Sequence, residues 1–403
     1  MSKYFSYLNT SSEIIKQYDG TVPLAVYLKS FFAANKKYGS KDRKLISHSC
    51  YCFFRTGKMF AFGDLIKDDA LLKRCIIVAL FLCTNESNEM LLQLEPQWNE
   101  RVHLPAADKF NIVKRHSSFS FLSSLSSVFP WKDELSETID YPAFCASFFT
   151  QPDLFIRVRP GYEERVQQIL TTAQIPYRLI GDACIALPNH TKVQDVLAID
   201  KEIVIQDYSS QCIAGYMPPV AANEKYSVWD CCAASGGKSI LAKDVLNNIE
   251  LTVSDIRPSI LANLAKRFHA AGINHYTSLV ADLSSSPHRL FDHVFDMVIC
   301  DAPCSGSGTW GRTPEQLFYF EHEQITKYHL LQKKIVQHIM PYIKPGGYLL
   351  YITCSVFKKE NEDLVAEAIA SRNMQVIRSG ILKGYDKKAD TMFAALLQKQ
   401  SEK

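Results

Sequence analysis

The sequence predicts an α/β fold in its second half, a parallel sheet with helices on both faces, preceded by a small α+β unit and an all-helical domain. Three observations carry this reading. From Ser227 onward, short apolar runs alternate with amphipathic stretches of helical spacing. Residues 152 to 205 hold short strands around one helix, and up to about residue 115 apolar positions recur at helical spacing with few strand signals.

At 403 residues the chain is long enough for two or three domains. Its hydrophobic share of 47% and charged share of 22% are ordinary globular values and argue against disorder. A net charge of +3 is too mild to declare nucleic-acid binding by itself. The distribution matters more: Lys36, Lys37, Lys41, Arg43, Lys44, Arg55 and Lys58 interleave with Tyr38, Tyr51, Phe53 and Phe54. That mixture suits phosphate contacts and base stacking, and equally a solvated helix face over an aromatic core.

The helical domain is read from PLAVYLKSFFAANKKY and DALLKRCIIVALFLC. Within the latter, CIIVALFLC at 75 to 83 is too short to span a bilayer and reads as a buried helix, so no membrane association is expected. The opening MSKYFSYLNT lacks the pattern of a secretory signal, and 12 unevenly spaced cysteines suit reduced thiols in the cytoplasm. There is no CxxC pair, and Cys50-x-Cys52 lacks matching partners, so no metal site is expected. HSSFSFLSSLSSVFPW, with Pro130, then breaks the helical periodicity and reads as a linker or irregular surface segment.

In the α+β unit, PDLFIRVRP is a strand, EERVQQILTTA a helix, and YRLIGD and CIALP two further strands. In the second half, SVWD, ELTVSD, HYTSLVAD, FDMVICDAP and GGYLLYITCS supply strands, while GKSILAKDVL and PSILANLAKRFHAAG supply helices. The last helix is punctuated by Pro258 in its first turn and Gly272 past its end, with Ile260, Leu264 and Phe268 on one stripe. Ligands of such sheets bind outside the carboxyl ends of the strands.

Those ends carry the chemistry. After the first comes DCCAASGGKS, residues 230 to 239. A phosphate loop would need glycine at Cys232, and GxGxxG is absent. What remains is a small-residue turn opening a helix, whose backbone N–H groups favour an anion or carboxylate. Asp230, Asp255, Asp282 and Asp301 close four consecutive strands, which favours one polar ligand lying across the sheet edge. Cys304 and Cys354 follow the fourth and fifth strands among Ser, Gly and Thr, a polar setting that favours nucleophilic use, whereas Cys300 sits inside its strand as a small hydrophobe. A thiolate added to carbon 6 of a pyrimidine turns carbon 5 into an enamine able to attack an activated methyl group. Asp301 could hold cytosine through its ring nitrogen and exocyclic amine. The two thiols are equal candidates for the attack on these grounds.

These motifs resemble the RsmB/Sun-type family of RNA cytosine-5 methyltransferases, and the N-terminal stretch GSKDRKLISHSCYCFFRTGK resembles its bacterial ribosomal RNA branch. Asp230, Cys232, Ala233, Ala234, Gly236, Gly237, Lys238 and Ser239 meet the pattern DxCAAPGGKT, with Ser235 where the family usually has proline. Residues 301 to 308 meet DAPCSGxG, continued by Arg312 and Pro314; Thr353, Cys354 and Ser355 meet TCS, followed by Glu360, Asn361 and Glu362. QDYSSQ at 206 to 211 resembles the opening of the family's catalytic domain, and ADTMFAALLQK its closing strand.

The resemblance implies a Rossmann-like S-adenosylmethionine-dependent methyltransferase domain at 206–403, a small RNA-recognition-like domain at 140–205 and a NusB-like RNA-binding domain at 1–130. It implies S-adenosylmethionine held by Cys232, Ala233, Ala234, Ser235, Gly236, Gly237 and Lys238, with Asp255 on the ribose, Asp282 near the adenine and Asp301 at the junction with the target base. It makes Cys354 the nucleophile and Cys304 the residue that assists product release; in a DNA cytosine methyltransferase the earlier thiol would attack. The expected partner is RNA, with small-subunit (16S) ribosomal RNA ahead of transfer RNA, and the expected state a monomer. A non-catalytic RNA-binding assembly factor is the rival reading.

Overall fold

The computed structural model describes residues 3–401 except 61–62, 64–65, 117–118, 120–121, 123, 220–224, 286–288 and 373. Its contacts divide the chain into two compact units. The first holds Met1–Asp133, Asp140–Gln151 and Thr309–Glu321; the second holds Glu134–Ile139, Pro152–Gly308 and His322–Lys403. No helix among the described residues is long and apolar enough to cross a membrane.

The first unit is helical. Helix Asp69–Cys83 starts where the Asp68 carboxylate accepts from the N–H groups of Ala70 and Leu71, at 3.0 Å each. It buries Leu72, Cys75, Ile76 and the run from Val78 to Leu82, as expected of CIIVALFLC. Helix Ser40–Arg55 carries much of the basic and aromatic cluster, and here the stacking reading needs correction. Phe53 and Phe54 are fully buried and Tyr38 is buried. Arg55 is also a core residue: its guanidinium donates to the carbonyl of Phe148 at 3.0 Å and to Gln151 Oε1 at 2.6 Å. The aromatic rings pack because burying them removes apolar surface from water, and the lysines are left outside: Lys36, Lys37, Lys41 and Lys44 are exposed.

The serine-rich stretch is also not a plain surface linker. Parts of it lie outside the described residues, but Val128 and Phe129 are fully buried, and Phe129 packs against Trp131, Phe144 and Phe148. Residues 309–321 complete this aromatic core. Trp310 lies 5.9 Å from Trp131 and Phe318 5.2 Å from Phe54, ring centre to ring centre.

The second unit opens with four antiparallel strands, β1 (Leu154–Val158), β2 (Arg178–Leu179), β3 (Cys184–Leu187) and β4 (Ile203–Ile205), in the order β2-β3-β1-β4. Helix Glu163–Thr172 lays Val166 and Leu170 on Ile156, Val158, Ile185 and Leu187. A seven-stranded sheet follows: β5 (Tyr226–Asp230), β6 (Ile249–Asp255), β7 (Thr277–Val280), β8 (Phe295–Asp301), β9 (Ile343–Thr353), β10 (Met374–Leu382) and β11 (Met392–Lys399), in the order β10-β11-β9-β8-β5-β6-β7. The five strands from β9 to β7 are parallel, and β11 runs antiparallel to both β9 and β10. The carboxyl ends of β5, β6, β7, β8 and β9 therefore share one edge. Asp301 pairs in register with Ile352, so the segments bearing Cys304 and Cys354 leave that edge side by side. In helix Pro258–Ala270 the buried stripe is Leu261, Leu264 and Phe268; Ile260, expected in it, is only half-buried.

Candidate active site

β5 ends at Asp230 and the chain turns through small residues into helix Gly237–Leu246. Ala234 and Gly236 have positive φ angles of 46° and 86°. A Cβ on Gly236 would come within 2.6 Å of the Phe268 ring, so the left-handed backbone and the close helix packing both require glycine. The turn is pinned from three sides. Ala233 N–H donates to the Ser254 carbonyl at 2.9 Å, and Ala234 N–H to Asp255 Oδ2 at 3.0 Å. One nitrogen of Arg267 donates to both the carbonyl (2.9 Å) and Oγ (3.0 Å) of Ser235. The rest of that guanidinium grips the Asp200 carboxylate at 2.7 to 3.1 Å.

Beside this turn opens a cavity of about 480 Å³, lined by Cys231, Cys232, Asp255, Asp282, Asp301 and Pro303 among others. Three of the four strand-end acids thus line one space. Asp255 also accepts from the backbone N–H of Arg257 at 2.9 Å. Asp282 accepts from the N–H and hydroxyl of Ser284 at 2.9 and 2.6 Å, and these bonds hold its carboxyl below the usual range. The fourth acid, Asp230, lies apart from the lining: it is fully buried and takes a 2.6 Å hydrogen bond from Ser239, and burial pushes its pKa up to about 7.

Lys238, buried in the first turn of the helix, reaches Asp301 Oδ2 at 3.0 Å. Burial draws its pKa down, but the charges at Asp301 and Cys354 outweigh this and raise it, so the ammonium ion persists. Cys304 and Cys354 are half-exposed and adjacent: Cys354 N–H points to Cys304 Sγ at 3.3 Å. A hydrogen bond toward Cys354, with burial, raises the Cys304 thiol well above its ordinary value. Cys304 therefore holds its proton.

Under the two thiols lies a buried polar network. Glu360 accepts from Ser305 N–H and Gln332 Nε2 at 2.9 Å each on one oxygen, and from Ser355 Oγ at 2.7 Å on the other. It is fully buried, and burial raises its pKa. Asn361 receives a 2.6 Å hydrogen bond from Thr353 and donates to the Ser355 carbonyl at 3.0 Å. The Cys304 loop and the Cys354 loop are thus tied to one carboxylate. Gly308 N–H donates to the Cys354 carbonyl, and a Cβ at Gly308 would lie 1.8 Å from the Thr391 carbonyl oxygen.

Residues 219–397 match the family described as 16S rRNA methyltransferase RsmB/F. This part of the chain is similar to the methyltransferase domain of that family. Ribosomal RNA small subunit methyltransferase B of Proteus mirabilis is 31% identical over 169 residues, covering 42% of this chain and 39% of its own length. The protein of the same name from Xylella fastidiosa is 28% identical over 279 residues, covering 66% of this chain and 64% of its own. The chain therefore spans only part of the length of these relatives. The crystal structure of PH0851 covers 98% of both chains with a TM-score of 0.66 at 19% identity, which shows a shared fold.

Within residues 219–397, the residues of the expected cofactor turn, Asp301 and both expected thiols lie at one sheet edge. Sequence reasoning missed Gln332, Arg267 and Asp200. Gln332 lies mid-helix, where no motif marks it; Arg267 lies on a helix read only for its apolar stripe; Asp200 falls between short strands. Glu360 and Asn361 stood in a motif, but only the fold gives them partners.

Proposed function

We propose that this protein is a cytoplasmic, monomeric S-adenosylmethionine-dependent methyltransferase that modifies carbon 5 of a cytosine in small-subunit ribosomal RNA. The observation that carries this reading is the pairing of Cys304 and Cys354 on the sheet edge that also holds a cavity lined by Asp255, Asp282 and Asp301, with Pro303, the residue before Cys304, in that lining. The residues fit the cofactor by their chemistry. The carboxylates of Asp255 and Asp282 accept from ribose hydroxyls and an adenine amine respectively. The side chain of Arg257, 60% exposed, is the partner that a ribose displaces from Asp255. Cys232, Ala233, Ala234, Ser235, Gly236, Gly237 and Lys238 form the turn that holds the amino-acid end. When bound, S-adenosylmethionine supplies an electrophilic methyl group.

The protein's own residues do the rest. The target base leaves its stack to reach the sheet edge. Cys354 Sγ bonds to carbon 6 as the 5,6-double bond shifts its electrons toward carbon 5, the atom that receives the methyl group. Asp301, positioned by Lys238, holds the ring nitrogen and exocyclic amine and so favours cytosine over uracil. Transfer of the carbon 5 proton to solvent water then restores the double bond and expels the Cys354 sulfur as thiolate, and Cys304, the thiol that keeps its proton, assists this release as a donor to that sulfur.

The helical residues 1–130 serve as a NusB-like RNA-docking domain and residues 140–205 as an RNA-recognition-like unit, with 206–403 catalytic. The exposed Lys36, Lys37 and Lys44 support the first role through phosphate contacts.

Incubating Cys304→Ala and Cys354→Ala variants with small-subunit ribosomal RNA and cofactor tests the assignment. Cys304→Ala is expected to accumulate a denaturant-resistant protein–RNA adduct, and Cys354→Ala to form neither adduct nor 5-methylcytosine. Exchanged phenotypes would reverse the two roles. An unmodified protein that binds this RNA under saturating cofactor but never methylates it would instead be a binding factor.

A further inference from the structure

Three thiols, two of them consecutive in the chain and the third on a neighbouring strand, gather beside the cavity. Cys231 and Cys232 directly follow the end of β5, and Cys300 lies one residue from the end of the neighbouring β8. Their sulfur atoms all lie within 4.8 Å of one another, and those of Cys231 and Cys232 are 4.0 Å apart. Three sulfurs around one zinc-sized ion, each at about 2.3 Å, stand about 4.0 Å from each other when the ion lies in their plane. The spacing found here is therefore close to that of a formed trisulfur site, without large movement of the backbone.

The surroundings agree. Cys231 and Cys300 are buried while Cys232 is half-exposed, and Cys231 and Cys232 both line the cavity, which gives an ion a route in and leaves room for a water as fourth ligand. The carboxylates of Asp230 and Asp301 act electrostatically on Cys232 and Cys300 and add to the attraction for a cation. Thiolates select soft ions and reject magnesium and calcium.

We propose that Cys231, Cys232 and Cys300 form a binding site for a thiophilic d10 metal ion such as Zn²⁺ or Cu⁺, and that its occupation excludes the cofactor from the cavity. The thiol protons pass to solvent as the metal–sulfur bonds form. Metal binding stands on the geometry of the three sulfurs alone; the exclusion rests on the cofactor reading above.

The test is titration of the reduced, metal-free full chain with Cd²⁺, followed by the near-ultraviolet sulfur-to-cadmium charge-transfer band. One ion per chain is expected, with affinity lowered at least tenfold in Cys300→Ser and in Cys231→Ser. The band should be retained in the Cys304→Ser/Cys354→Ser double variant, which removes the other thiol pair. Circular dichroism of each variant establishes that it is folded. Absence of a band at stoichiometric Cd²⁺, a band indifferent to both single substitutions in folded protein, or loss of the band in the double variant would each overturn the site. Calorimetry with S-adenosylhomocysteine separates the second claim. Metal-free protein is expected to bind it and cadmium-loaded protein to bind at least tenfold more weakly; equal binding overturns the exclusion. If metal-free protein does not bind it while the band follows the variants, the cofactor reading fails and the metal site stands.

Discussion

Asp230 is the side chain whose ionisation burdens the fold most directly. It is fully buried, with one oxygen bonded to Ser239 and the other lacking a hydrogen-bond partner among the described residues. Its folded pKa, about 7, lies above the value near 4 of an unfolded aspartate. The folded state therefore binds the proton more tightly, and the stability this gives is complete below pH 4 and lost by about pH 7. The loss is at most about 4 kcal/mol over that window. Asp230→Asn, which mimics the protonated acid, is expected to gain stability relative to the parent between pH 4 and 7 and to hold a constant advantage above; denaturant titrations across this range measure it, and a difference independent of pH would refute the account. At this scale the sequence was legible for the strand-end acids and the two thiols, because motif and position along a strand coincide. It was not legible for Phe53, Phe54 and Arg55: a basic and aromatic string reads alike whether its rings face solvent or a core, and only the neighbouring helices decide.

Loops and strands show a different limit. The five parallel strands were readable because each is an apolar run ending in a small or acidic residue, and their shared direction places those ends together. β4, three residues long, and β10, where Gln375, Arg378 and Ser379 dilute the apolar pattern, give weak periodicity and went unseen. The loops bearing Cys304 and Cys354 are joined by several hydrogen bonds, and Glu360 is the carboxylate that ties both into one buried network. In Glu360→Gln one carboxylate oxygen becomes an NH₂ group that faces donors, leaving at least one buried donor unmatched, a change of about 1–3 kcal/mol. The expected result is a destabilised protein with a lowered single-turnover methylation rate and nearly unchanged binding of S-adenosylhomocysteine, because Glu360 is outside both the turn before helix Gly237–Leu246 and the cavity beside it. Unchanged turnover would show the network to be structural only.

Across the whole molecule, the second unit links its two sheets through charge. Arg157 and Arg159 of the four-stranded part meet Asp244 of helix Gly237–Leu246 at 2.6 and 2.8 Å, and Arg267 connects Asp200 to Ser235. The strained backbone at Ala234 and Gly236 is thereby held from the small sheet's side. Arg267→Ala is expected to weaken S-adenosylhomocysteine binding about tenfold, the equivalent of one hydrogen bond to a charged group, and Asp200→Asn to weaken it less; calorimetry on both variants gives the comparison, and unaltered affinity in Arg267→Ala would remove the turn's dependence on this link. None of this was visible in the sequence, since the partners lie between 32 and 87 residues apart. The aromatic core of the first unit draws on Trp310, Phe318 and Tyr319, although its preceding segment ends at Gln151. On a ribosome making about 5–20 residues per second, the helices at the start of the chain must wait roughly 10–30 s after Gln151 for those rings to emerge. During that interval the nascent chain exposes the unfinished face around Tyr18, Phe53 and Phe54, and its protection in the cell is a matter for chaperones before it is one for the finished fold.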